Sequence, residues 1–92
     1  DVDAASRKAI GEAGLGDKYG HGLGHGVGLA VHEEPNMRPE SEAVLEPGNV
    51  VTVEPGIYLP GDVGVRIEDQ IVVTGEGAER LNDASRDLTV VA

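Results

Sequence analysis

The chain has 92 residues, enough for one small domain. Seven Lys+Arg against seventeen Asp+Glu leave a formal charge of −10, which excludes the basic footprint that nucleic acid or an anionic membrane surface requires. There is no cysteine for a disulfide or a thiolate zinc site, and no apolar run long enough for a transmembrane or signal segment, so a cytoplasmic location is expected.

Taken in order, Asp1 to Ala13 reads as a helix capped by Asp1 or Asp3, with Val2, Ala5, Ala9, Ile10 and Ala13 as its apolar stripe and Gly14 as its stop. Residues 11 to 28 then hold eight glycines, a density that suits a flexible loop equally well as an ordered close approach of backbones. A short strand is predicted over Val27 to Val31. Residues 33 to 48, with five acids and three prolines, read as a surface loop that closes on a turn at Glu46-Pro47-Gly48-Asn49. Strands follow at Val50 to Glu54 and Ile57 to Leu59, then a turn at Pro60-Gly61-Asp62 and a long strand from Gly64 to Thr74. Gly75-Glu76-Gly77 turns the chain back into a hairpin over Ala78 to Leu81, and Asp87 to Ala92 is a last edge strand. A helix followed by an antiparallel meander is an α+β fold. With two Tyr, no Phe and no Trp, its core should be thin and aliphatic.

Polar residues interrupt this pattern where strands should be apolar. Val50-Val51-Thr52-Val53 is a central-looking strand that ends on the carboxylate of Glu54, and buried acids persist only when paired or bound to metal. On the long strand Arg66, Glu68 and Gln70 share a face by parity, which by itself describes a solvated side of a sheet. His21, His25 and His32 lie within twelve residues of one another just upstream. Imidazole together with carboxylates suits a divalent Mn, Fe, Co or Zn ion, and an oxygen-rich set leans toward Mn²⁺.

Three segments in this order resemble the signatures of the pita-bread metallopeptidases: His21-Gly22-Leu23-Gly24-His25 running on to His32-Glu33-Glu34-Pro35, then Thr52-Val53-Glu54-Pro55-Gly56-Ile57-Tyr58, then Val65-Arg66-Ile67-Glu68-Asp69. The last is similar to the Xaa-Pro aminopeptidase and prolidase branch rather than to methionine aminopeptidases. The resemblance implies a creatinase/aminopeptidase fold of which the chain, 1–92, is a single partial domain, the C-terminal half of a catalytic domain; the absence of an initiator Met fits that expectation. It implies a peptidase that cleaves Xaa-Pro bonds with an activated water. His25, Glu54 and Glu68 would be metal ligands, with Glu54 also shuttling the water's proton. His32 would donate to the scissile carbonyl, His21 would line the substrate pocket, and Arg66 would orient the ligand carboxylates. Arg38 is a candidate for holding a dipeptide's free carboxylate.

The family site uses two divalent ions, Mn²⁺ or alternatively Co²⁺ or Zn²⁺, and five protein ligands, two of them aspartates ahead of the histidine motif. Asp1 and Asp3 open the helix and do not occupy those positions, so three ligands are present and the chain is expected to be an incomplete, inactive fragment. Its partners are expected to be proline-containing peptides and, through an uncovered half-sheet, further copies of itself as a homo-oligomer. Two alternatives stand beside this reading: a non-catalytic peptide-binding or interaction module on the same fold, and an unrelated single-metal enzyme.

Overall fold

The computed structural model describes residues 2–91. Helix α1 spans Val2–Glu12 and stops at Gly14, whose φ of 80° no side-chain-bearing residue adopts cheaply. There the amide of Leu15 bonds the carbonyl of Ile10 and that of Gly14 bonds Gly11, the paired reverse bonds of a Schellman stop. Asp1 and Ala92, named above as a helix cap and a strand end, lie outside the described residues.

A 3-10 turn at Gly16–Lys18 leads into seven strands: β1 Gly24–Gly26, β2 Glu33–Met37, β3 Val50–Val53, β4 Gly56–Leu59, β5 Val63–Arg66, β6 Asp69–Thr74 and β7 Gly77–Arg80. A five-stranded sheet has the order β2-β1-β3-β6-β7, a two-stranded sheet joins β4 to β5, and every pairing is antiparallel. The fold is α+β, one helix followed by antiparallel sheets. No helix is long and apolar enough to cross a membrane among the described residues. The core is as thin as the composition implies: Leu23, Met37 and Val51, with Leu45, Val53 and Ile71 packed against them.

The glycine-rich segment is ordered because β1 is squeezed between β2 and β3. A Cβ at Gly24 would overlap the Thr52 carbonyl, and one at Gly26 would overlap that of Glu34. The glycines are there for close approach rather than for flexibility.

Five expectations are corrected. Asp3 does not cap α1: it lies inside the helix, 2% exposed, with its carboxylate turned to Arg7 and to the amide of Leu23. The packed face of α1 is accordingly Asp3, Ser6, Arg7 and Ile10, while Val2, Ala5, Ala9 and Ala13 face solvent. Val27 to Val31 is not a strand. After Val27 bonds Val50 the Glu33 carboxylate accepts from the amide of Ala30 and rounds the chain into a loop, leaving Leu29 and Val31 exposed. Residues 33 to 37, assigned to a loop, form edge strand β2, with Pro35 in a cis peptide. No strand is found over 87–91.

The fifth correction positions the site. The long strand from Gly64 to Thr74 is two strands in two sheets, broken at Ile67-Glu68. Its partner breaks at the same level: Val53 pairs with Asp69 and Gly56 with Arg66, so Glu54-Pro55 and Ile67-Glu68 face each other as the corner of one bent hairpin. Pro55 has no N–H to continue the ladder, and its carbonyl accepts from the amide of Ile67 across the corner.

Candidate active site

Corners are where a sheet can expose a carboxylate without breaking its hydrophobic face. Glu54 sits on this one, and its amide donates to the carbonyl of Leu23 at 2.7 Å, which ties the corner to the segment that carries the histidines. Its Oε1 lies 3.5 Å from Nε2 of His25, both side chains being 16% exposed. Burial raises the Glu54 carboxyl above its ordinary value, and the neighbouring Glu68 carboxylate raises it further; His25 and Arg66 pull it partway back.

The backbone of His25 donates to Thr52 Oγ1 at 3.1 Å, and its Nδ1 lies 2.8 Å from the carbonyl oxygen of Gly26. A carbonyl only accepts, so Nδ1 carries the proton, and in the neutral ring Nε2 keeps its lone pair toward Glu54. His32, exposed, stands edge-on to His25 with ring centroids 4.7 Å apart. In His21, Nδ1 donates to the carbonyl of Gly22 at 2.8 Å and Nε2 lies 2.9 Å from the hydroxyl of Tyr58. Tyr58 chiefly holds the Arg66 guanidinium above its ordinary value, and the negative charges of Glu54 and Glu68 nearby add to that.

The six residues named from the sequence therefore surround one groove. His21, His25, His32, Glu54 and Arg66 line a cavity of about 390 Å³ together with Asn36 and Arg38. An adjoining one of about 380 Å³ shares His25, His32, Glu54 and Arg66 and adds Glu68. A larger cavity, about 450 Å³, lies between β5 and the C-terminal segment and contains no histidine.

Among the described residues no three His, Asp or Glu side chains close into a ready-made metal cluster. Glu54 approaches His25 to 3.5 Å, and Glu68 lies near enough for its charge to act on Glu54. The donor chemistry nevertheless fits a divalent cation. An imidazole lone pair faces one carboxylate with a second nearby, and a cation would offset both the burial and the neighbouring charge that raise Glu54.

Tyr58 was missed as a site residue. The signal was present: it lies four positions beyond Glu54 and is one of only two aromatic residues in the chain. Thr52, buried and holding the His25 amide, could be read from sequence only as another β-branched strand residue.

Comparison with known proteins agrees with this geometry. The model of metallopeptidase family M24 matches residues 1–75. The chain is 48% identical over 91 residues to the uncharacterized peptidase YqhT of Bacillus subtilis, covering 99% of this chain and 26% of that one. It is 49% identical over 88 residues to the Xaa-Pro dipeptidase of Pyrococcus furiosus, covering 96% and 25%. Its fold superimposes on the Xaa-Pro dipeptidase of Bacillus anthracis with a TM-score of 0.93 at 52% identity, over 97% of this chain and 25% of that one. The chain thus spans about a quarter of the length of the relatives it matches. Both the residues matched and the shape they adopt, part of a pita-bread domain, lead to one assignment: the chain belongs to metallopeptidase family M24.

Proposed function

We propose that this chain carries the histidine and glutamate portion of an Xaa-Pro peptidase active site and is the C-terminal half of that catalytic domain. The observation that carries the reading is the position of Glu54, 3.5 Å from His25 and within the electrostatic reach of Glu68. His25, Glu54 and Glu68 would hold divalent metal, two Mn²⁺ ions once the missing ligands are supplied, and the metal would supply Lewis acidity toward a water and the scissile carbonyl.

The chain's own residues do the rest. Glu54 accepts a proton from the attacking water and passes it to the leaving proline nitrogen as the amide C–N bond breaks. His32, on the rim of the groove, donates to the carbonyl oxygen as negative charge develops there. His21 lines the pocket, held by Tyr58, and Arg66 keeps Glu54 and Glu68 oriented by charge. Arg38, on the wall of the same cavity, would receive the free carboxylate of a dipeptide. Exposed apolar side chains such as Val65 and Leu88 support self-association as a homo-oligomer, and the reading includes a cytoplasmic location.

Calorimetric titration of the chain with Mn²⁺, alongside an Xaa-Pro dipeptide assay, tests the proposal. Weak Mn²⁺ binding that E54Q weakens by about tenfold or more, with no turnover by the chain alone, is expected. Turnover at the rate of a full-length M24 peptidase would overturn the claim that the site is incomplete, and absence of any Mn²⁺ binding would overturn the ligand assignment.

A further inference from the structure

Asp3 is one of the most deeply buried side chains among the described residues, yet it is a carboxylate on the first turn of a helix whose Val2, Ala5, Ala9 and Ala13 face solvent. Its partners all lead to one place. Arg7 donates to it from Nε at 3.0 Å and Nη2 at 3.2 Å, and Oδ1 also accepts the backbone amide of Leu23 at 3.0 Å. Arg7 turns its remaining donors on the backbone carbonyls of Tyr19, at 3.2 Å, and His21, at 2.9 Å, while its guanidinium lies 4.4 Å over the ring of Tyr19. A single ion pair thus grips residues 19, 21 and 23, alternate positions on one side of the segment that leads into β1.

With Asp3 buried and Arg7 only half-buried, the pair is a poor device for stability alone, because desolvation of the carboxylate offsets much of the attraction. Its value lies in direction. A bidentate carboxylate–guanidinium pair has one geometry, and here each end reaches a backbone group that cannot slide without losing its partner. His21 gains most: with its carbonyl tied to Arg7, the ring is left to donate from Nδ1 to Gly22 and to offer Nε2 to Tyr58.

We propose that Asp3 and Arg7 are positioning residues for the active site, fixing the path of Tyr19–Leu23 so that His21 presents Nε2 to Tyr58 and the groove. The importance of that orientation for catalysis rests on the function proposed above; the orientation itself does not. The pair acts through the backbone and touches no substrate.

The test is the imidazole nitrogen spectrum of the whole 92-residue chain, recorded without metal by long-range ¹H–¹⁵N NMR. In the parent, His21 should show one tautomer, protonated at Nδ1. R7M, and R7K, which keeps the charge but cannot hold Asp3 and two carbonyls at once, should lose that single-tautomer pattern at His21 while His25 keeps its own. Y58F, which removes the partner of Nε2 directly, supplies the reference for a released ring. An unchanged His21 pattern in folded R7K or R7M would overturn the proposal. Should R7M fail to fold, R7K and the apolar pair D3L/R7M decide: recovery of the fold with His21 released supports positioning, and recovery with His21 unaltered refutes it. Failure of Mn²⁺ binding would sink the functional reading and leave this one standing.

Discussion

Nε2 of His25 and Oε1 of Glu54 face each other across 3.5 Å from neighbouring strands, and in the neutral ring neither atom has a proton to give the other. An imidazole lone pair facing a carboxylate is an arrangement that a proton or a divalent cation between them would favour.

Removing either partner should therefore separate metal affinity from folding. H25A and E54Q are expected to weaken Mn²⁺ binding by about tenfold or more, a typical response of a metal site to a lost interaction, with little change in the urea midpoint. Calorimetry and chemical denaturation on the same preparations check both halves.

Gly24 and Gly11 should respond in opposite directions to alanine. At Gly24 the new methyl would meet the Thr52 carbonyl, so G24A is expected to destabilise by roughly 1–3 kcal/mol or more, as overpacking does. Gly11 is exposed in α1 with nothing within 4 Å, and G11A is expected to stabilise by about 0.5–1 kcal/mol. Urea melts of the two variants provide the comparison.

The core has little redundancy. Leu23, Met37 and Val51 form its centre, so L23A should cost about 2–5 kcal/mol. Small domains hold roughly 5–15 kcal/mol in total, and most of that reserve would be gone. Loss of a cooperative thermal transition by circular dichroism is the expected outcome.

Tyr19 gives a pH prediction. Burial raises its phenol above the ordinary 10.0, and the hydrogen bond with Ser6 only partly opposes this. A group with a raised native value contributes its stability fully below the unfolded value, and loses it as pH climbs through the native one. The fold should weaken above about pH 10, and Y19F should flatten that decline. In Y58F, Tyr19 is the only tyrosine left, so its absorbance titration reads the midpoint directly.

Much of this was legible from residue order. The turns at 46–49 and 60–62, the strands on either side of Pro55 and the final hairpin all follow from Pro, Gly and β-branched runs, and the structure places them within a residue or so. Glu54 stands out because it is anomalous at the end of a Val-rich strand, and the structure places it beside His25. What could not be read was where continuity fails. Val65-Arg66-Ile67-Glu68-Asp69 has unbroken strand character, and only Pro55, twelve residues upstream of Ile67, dictates that it must bend. The face of α1 was misread for a related reason. Periodicity counts apolar residues, whereas this helix docks through Asp3 and Arg7, whose partners are backbone groups invisible to any hydrophobic pattern.

The bent hairpin makes the groove a joint between two plates. His25 belongs to the larger plate, Tyr58 and Arg66 to the smaller, and Glu54 and Glu68 sit on the hinge line itself. The spacing between site residues on the two plates is therefore set by the angle between the sheets, and the Ile67 amide, bonded to the Pro55 carbonyl, ties the corner at that line.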